Sequence, residues 1–333
     1  MEYYSLNAYL RHTFGTKVYK ISLDAGCSCP NRDGLIDTRG CIFCSASGSG
    51  DFAEHLQMQE ILYKCRDKQV LCAADIQMLH QAVHAQLEAG KKRVKQKNKD
   101  GKYIAYFQAY TNTYAPVSYL KEIFNAAIEA DDIVALSIAT RPDCLDVEVL
   151  SLLEELCTRK PVWVELGLQT IHEDTAKDIR RGYALPVYDE AVRQLRKRGI
   201  EVITHVILGL PGETKDMMKE TVAYVGSSGV QGIKLQLLHV LKGTDLEQEY
   251  LAGRCPVFTM EEYVELVADC LERLPKDMVI HRMTGDGDKK QLVAPLWSAD
   301  KKHLQDMPHV QADDGSAGKV HGMQLHAYLN HHR

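Results

Sequence analysis

Gly26-Cys27-Ser28-Cys29-Pro30-Asn31-Arg32-Asp33-Gly34, running on to Cys41-Ile42-Phe43-Cys44, is the stretch on which the reading of this chain turns. It gathers thiols directly after an apolar, β-rich run. Two metal chemistries fit it. With Cys27 included, four thiolates in a CxC-x11-CxxC pattern close a tetrahedral zinc site, which is usually structural. Without Cys27, three thiolates hold three corners of a 4Fe-4S cluster and leave one iron open to an outside ligand. A CxxC pair alone does not choose, since redox dithiols and zinc ribbons share it.

Outward from the loop the pattern is alternation. Apolar runs lie at Val18 to Leu23, Tyr103 to Phe107, Ile133 to Ile138, Val162 to Leu168, Val202 to Leu208 and Ile233 to Leu238, with helical periodicity between them. Six strands separated by helices imply parallel βαβ units and an α/β fold. The expected architecture is a partial (β/α)6 TIM-like barrel with a C-terminal α/β extension. Its expected divisions are an N-terminal segment 1–16, a barrel 17–244 and an extension 245–333 that packs on the barrel, with helical patterns at Thr259 to Leu274 and Val320 to Asn330. Barrels place their chemistry at the carboxyl ends of the strands. A catalytic cysteine loop therefore demands polar residues at the other strand ends too.

The chain meets that demand. The second run is followed by Gln108-Ala109-Tyr110-Thr111-Asn112-Thr113-Tyr114-Ala115-Pro116, and the third ends in Thr140-Arg141-Pro142-Asp143. The fourth carries Glu165-Leu166-Gly167-Leu168-Gln169-Thr170, and the fifth ends in Gly209-Leu210-Pro211-Gly212-Glu213. The sixth runs through Lys234, Gln236 and His239. Any one of these is explicable as turn chemistry. The series favours an open cluster over a zinc knuckle.

The 333 residues suffice for one large domain with an appendage, and 45% apolar and 26% charged residues are ordinary for a globular protein. A formal charge of -5 predicts no bulk attraction to nucleic acid. No apolar run approaches the roughly 18 residues that span a bilayer, and the start, Met1-Glu2-Tyr3-Tyr4-Ser5, lacks the pattern of an export signal. A cytoplasmic protein without membrane contact is expected, its ten cysteines serving as metal ligands and buried thiols rather than disulfides.

From Gly26 to Cys44 the chain resembles the radical S-adenosylmethionine (SAM) enzymes, and within them the YtqA/YhcC group, akin to the Elongator catalytic subunit. The resemblance continues through Phe107 to Tyr114, Thr140 to Asp143, Glu165 to Gln169, Ile207 to Glu213, Leu238 to Thr244 and Arg282 to Asp286. It implies a 4Fe-4S cluster on Cys29, Cys41 and Cys44, the catalytic core. The group usually has an apolar or aromatic residue where this chain has Cys27, so Cys27 reads as a neighbour. An electron from the reduced cluster, supplied by a donor such as flavodoxin or ferredoxin, would cleave SAM and yield a 5'-deoxyadenosyl radical that abstracts hydrogen from substrate. The same resemblance places Phe43 near the cluster or adenine and Gln108, Tyr110, Thr111, Asn112 and Thr113 at the methionyl end of SAM. Glu165 and Gln169 are expected at the ribose, Gly209 and Gly212 against adenine, and Arg141 on an anion or in a salt bridge with Asp143 or Glu165. Glu165, if buried, needs a ligand or a cation beside it.

The substrate is less legible. The run from Lys91-Lys92-Arg93 to Lys102 holds seven basic residues in twelve and reads either as a solvated helix end or as a phosphate contact. Arg180-Arg181 and Arg193 to Arg198 are candidates to extend such a face. Lys234 and His239 are candidates for the substrate side, while His321, His326, His331 and His332 read as a polar terminus. The Elongator-like branch acts on wobble uridines, so the resemblance implies a transfer RNA partner. The chemistry it implies is conversion of a carboxymethylaminomethyl group at uridine C5 to aminomethyl. With 245–333 as the extension, the acetyl-CoA chemistry of the Elongator subunit's acetyltransferase domain is not expected. The alternatives are a radical SAM enzyme on a small metabolite and a zinc-containing nucleic-acid-binding protein.

Overall fold

A run such as Val162–Gln169 is apolar at most of its positions and almost wholly buried, the mark of a strand covered on both faces. Seven strands form the main sheet of the computed structural model, which describes residues 2–46, 48, 56–96, 101–285, 289–299 and 311–312. They are β1 (Tyr19–Leu23), β2 (Tyr103–Phe107), β3 (Ile133–Thr140), β4 (Val162–Gln169), β5 (Glu201–Leu208), β6 (Gly232–Leu237) and β7 (Val279–Arg282). Their order in the sheet is their order in the chain, and every adjacent pair is parallel.

The six expected strands are all present, within two residues of the expected ends. The seventh, β7, was not anticipated: Val279-Ile280-His281-Arg282 is short and half polar, so its run of burial is too brief to read as a strand. It pairs with β6 and extends the sheet into the region expected to be an appendage.

The sheet curls. Lys20 on β1 reaches Glu165 on β4 at 2.7 Å, and Lys234 on β6 reaches Tyr106 on β2 at 3.0 Å. In a flat sheet β2 and β6 would lie about 19 Å apart. These side chains therefore meet across the inside of a part-closed barrel. Its amino-terminal end is plugged by α1 (Leu6–Phe14), whose Leu10 packs with Val18, Ile104, Ala135, Trp163 and Ile203.

Helices cover the outer face. They are α2 (Gln59–Arg66), α3 (Ala73–Val94), α4 (Val117–Ile128), α5 (Val147–Cys157), α6 (Glu173–Asp178), α7 (Leu185–Lys197), α8 (Lys215–Ser227), α9 (Asp245–Leu251) and α10 (Met260–Leu271). Each strand ends in a loop at one end of the barrel, and each following helix runs back to the other. The expected helix at Thr259 is α10, opened by a capping box in which Thr259 and Glu262 satisfy each other's backbone N–H. The Val320 to Asn330 pattern and the four C-terminal histidines lie outside the described residues. No described helix is long and apolar enough to cross a membrane, and all ten cysteines are free thiols.

Gly90 shows how tightly α3 lies on the sheet, since a Cβ there would fall 2.3 Å from Cγ2 of Ile21. In an open helix, alanine for glycine gains about 1 kcal/mol, whereas overpacking a close contact costs about 1–3 kcal/mol. Gly90→Ala is therefore expected to lower stability, read as a lower denaturant midpoint at unchanged slope. A higher midpoint would show that the contact yields.

Candidate functional site

The cysteine loop is braced at nearly every residue. The backbone N–H groups of Arg32 and Asp33 donate to the Cys29 carbonyl at 2.8 and 3.2 Å, and the Asn31 carbonyl accepts from Gly40 at 2.7 Å. Asn31 Nδ2 donates to the Arg180 carbonyl at 2.7 Å, and Arg32 Nη2 donates to the carbonyls of Cys44 and Ser45 at 3.0 and 2.6 Å. The side chains of Asn31 and Arg32 thus tie the loop to itself and to the chain after α6. Gly182 sits against this brace with φ +85°, and a Cβ there would lie 2.7 Å from Asn31 Oδ1.

So held, Cys29, Cys41 and Cys44 line a cavity of about 250 Å³ at the carboxyl end of the barrel. Cys27 does not. It is 5% exposed and packs into the core with Leu23, Ala25, Leu56 and Tyr119. Among the described residues no three His, Cys, Asp or Glu side chains converge on a single ion. Cys27 thus stands apart from the three thiols that share the cavity. A multi-iron cluster spreads its ligands over separate corners, and three thiols around a cavity suit it. Burial pushes Cys41 up to about 12 and Cys44 above its ordinary value, while Arg32 and Arg141 oppose this from beside the loop. These thiols need a positive partner to ionise, which bound iron supplies.

Deeper in the barrel every strand contributes to a polar layer, with Lys20, Tyr106, Ser137, Glu165, His205, Lys234 and Arg282 from β1 to β7 in turn and Gln236 as a second residue from β6. In register Tyr106 pairs with Ser137, His205 with Lys234, and Lys234 with Arg282, while Lys20, Ser137 and Glu165 sit two residues before the partners of Tyr106, Glu165 and His205, an even offset that keeps them on the same face. Glu165 is fully buried at its centre. Its Oε1 accepts from Lys20 at 2.7 Å and Ser137 at 2.6 Å, and its Oε2 from Lys234 and from His205 Nε2, the latter at 2.7 Å. Gln236 Nε2 meets His205 Nδ1 at 3.1 Å. The two lysines hold Glu165 ionised, well below the usual carboxylate range, against the opposing effect of burial. Burial brings Lys234 down to about 7 despite Glu165, with the charges of Lys20 and Arg282 adding to the fall. Burial and Lys234 bring His205 down to about 4, so its imidazole is neutral.

The structure places many expected residues on this cavity. Its lining includes Phe43, Gln108, Tyr110, Thr111, Arg141, Glu165, Gln169, Lys234 and His239 beside the three thiols. Of the four non-glycine residues with positive φ among those described, Tyr110 and Gln169 line the cavity and Arg180 braces its loop. Strain of this kind collects at functional sites.

Other expected residues lie off the cavity or are engaged within the fold. Asn112 and Thr113 lie outside the lining, because their side chains brace the scaffold: Asn112 donates to the Ala139 carbonyl at 3.0 Å and Thr113 to that of Cys144 at 2.6 Å. Gly209 and Gly212 also lie outside it, and Gly209 backs onto the Phe258 ring. Arg141 takes the salt-bridge alternative, with two bonds to Asp143 at 2.9 and 2.7 Å.

Of its two readings, the basic run takes the helix end. Lys91, Lys92 and Arg93 end α3, so they lie at the amino ends of the strands, away from the cysteine loop. Lys91 is bound to Asp132 at 2.7 Å and Glu88 at 2.9 Å, so its charge is compensated; residues 97–100 lie outside the described set. Arg181 is buried and donates to the carbonyls of Thr170 and Tyr183, while Arg193 pairs with Glu190. Arg181 thus holds the scaffold, and Arg193 is paired on an exposed helix face.

Sequence reasoning missed Lys20, Tyr106, His205 and Arg282, and with them Asn31, Arg32 and Tyr183. For the first group a signal existed: a charged or polar residue inside an otherwise apolar strand. Which face of the strand it occupied was not legible.

A model of the radical SAM superfamily matches residues 38–225, and one of the radical SAM C-terminal domain matches residues 230–309. YtqA of Bacillus subtilis (strain 168) is 47% identical over 90% of this chain and 86% of its own length. YhcC of Escherichia coli (strain K12) is 36% identical over 86% of this chain and 85% of its own. The structure of the archaeal Methanocaldococcus infernus Elp3 with an N-terminal deletion superposes with a TM-score of 0.56 at 21% identity, covering 68% of this chain and 58% of that one, a likeness of fold.

The buried carboxylate makes a direct test of the polar layer. Breaking a buried ion pair from one side costs about 3–5 kcal/mol, so Glu165→Gln is expected to lose stability on that scale in denaturant unfolding. Adding Lys234→Met removes one of the stranded cations and should recover part of the loss. Strictly additive losses would show that the pair is uncoupled.

Proposed function

The chain belongs to the radical SAM superfamily, and on that premise we propose that it remodels the C5 side chain of a transfer RNA wobble uridine, taking carboxymethylaminomethyl to aminomethyl. Its cofactors are those of the superfamily, SAM and a 4Fe-4S cluster. The observation that carries the proposal is the placing of three thiols on one wall of a cavity whose interior is a buried, charged layer. When bound, the cluster and SAM supply one-electron chemistry, ending in a 5'-deoxyadenosyl radical that takes hydrogen from substrate.

The chain's own residues position and shield. In this reading Cys29, Cys41 and Cys44 hold the cluster, and Cys27 remains a core thiol. Gln108, Tyr110 and Thr111 face the same cavity and suit the methionyl end of SAM. Both oxygens of Glu165 are already engaged, so the ribose contact falls to Gln169. Phe43 and the cavity walls exclude water, which a reactive radical requires. The proposed setting is the cytoplasm, with flavodoxin or ferredoxin as electron donor and transfer RNA as the substrate's carrier. That last element is supported by the Elongator-like motifs and the Elongator complex protein 3 relatives. A second reading, a small metabolite as substrate, is favoured by one observation: the basic run lies away from the cavity mouth.

Anaerobic purification tests the chemistry. Wild type and Cys27→Ala are expected to be brown and to form 5'-deoxyadenosine on reduction, whereas Cys29→Ala, Cys41→Ala and Cys44→Ala each lose both. A colourless protein with stoichiometric zinc would reject the cluster. Nucleoside analysis of a deletion strain then tests the substrate: carboxymethylaminomethyluridine should accumulate in transfer RNA, and an unchanged set of wobble nucleosides would leave the metabolite reading.

A further inference from the structure

Asn31 is 1% exposed, and its surroundings fix the orientation of its amide. Nδ2 faces three acceptors: the Arg180 carbonyl at 2.7 Å, the Arg181 carbonyl at 3.2 Å and Cys41 Sγ at 3.5 Å. A carbonyl only accepts, so the reversed amide would set oxygen against oxygen. The other end of the amide is idle. Oδ1 is buried without a hydrogen-bond partner among the described residues, and Gly182 leaves it room, since a Cβ there would fall 2.7 Å from it. An acceptor left unmade in the interior costs stability, so this side chain is held for what its nitrogen does.

The third contact carries the chemical consequence. As a thiol, Cys41 donates to the Arg180 carbonyl at 3.5 Å and accepts from Asn31. A cysteine bound to metal has lost its proton. Its sulfur then only accepts, and Asn31 is placed to donate to it. Cys41 lines the cavity and Asn31 does not, so the bond reaches the sulfur from outside the lining, where no ligand in the cavity displaces it.

We propose that Asn31 sets the reduction potential of the 4Fe-4S cluster, its N–H bond to the Cys41 sulfur making the cluster easier to reduce. Reduction moves one electron from the donor to the cluster, and part of the added charge falls on the cysteine sulfurs. An N–H dipole aimed at a sulfur stabilises that charge, and more strongly in a dry interior than in water. No bond forms or breaks at Asn31, which makes it a positioning residue. This deepens the function proposed above and rests on it for Cys41 as a cluster ligand.

The test is a redox titration of the anaerobically reconstituted protein, followed by EPR of the reduced cluster. Leucine keeps the branched shape of asparagine and removes both polar ends. Asn31→Leu is expected to be about tenfold harder to reduce than wild type, a fall of about 59 mV for a one-electron couple. A control separates this from a loosened loop. The double variant Arg180→Met with Asp245→Asn removes another tie on the same loop, the Arg180 bond to the Gly40 carbonyl at 2.8 Å, together with the acid that balances its charge at 2.6 Å. Its potential is expected to stay at the wild-type value. A shift in Asn31→Leu no larger than in the double variant overturns the proposal. The bond itself is read in wild type labelled with nitrogen-15 at the asparagine side-chain amides, where pulsed EPR of the reduced cluster should show a coupling that Asn31→Leu lacks. If the leucine variant takes up no iron, the wild-type coupling decides, and its absence overturns the proposal. A wild type that takes up no cluster fails the ligand assignment instead, a result separate from a cluster whose potential does not move.

Discussion

The carboxylate of Glu165 is the point on which the interior depends. It lies in the middle of β4 and is reached from β1, β3, β5 and β6 by Lys20, Ser137, His205 and Lys234. A barrel interior is ordinarily filled by layers of apolar side chains. Here the layer is charged, and its partners have to meet across the barrel to be satisfied. That requirement fixes the curl of the sheet and the inward face of each strand together, since a slip by one residue would turn a lysine or the glutamate outward.

The cysteine loop obeys a different constraint. It has no regular secondary structure, so its backbone groups are satisfied by turns, by Asn31 and Arg32, and by the segment after α6. Gly182 keeps that segment close, and Arg181 anchors it from below with bonds to the Thr170 and Tyr183 carbonyls. Three thiols are thus presented to the cavity by a scaffold that is itself mostly buried polar contact. The same economy explains why Asn112 and Thr113 lie outside the cavity lining: their polar atoms hold loops in place.

Between them, the loop and the layer set the two walls of one cavity. The loop wall suits a redox cofactor, and the layer brings buried hydrogen-bonding side chains to the same cavity. Basic residues are plentiful elsewhere, yet Lys91, Arg181 and Arg193 are bound to acids or carbonyls. Counting cations along the chain overstated the basic surface, because pairing with acids from other elements is invisible there.

The sequence by itself determined the six main strands, the α/β alternation, the loop that carries the three thiols and the family. These follow from local periodicity and from motifs, both written in neighbouring residues. β7 escaped notice because four residues, two of them polar, carry too little pattern. Only the tertiary structure decided that Cys27 faces the core, that Lys20 and Lys234 share Glu165, and that the basic run lies at the far end of the barrel. Each of these depends on which face of a strand or which end of a helix meets a partner distant in the chain, 60 or more residues away for the two Glu165 contacts. Barrel closure, not local sequence, brings such partners together.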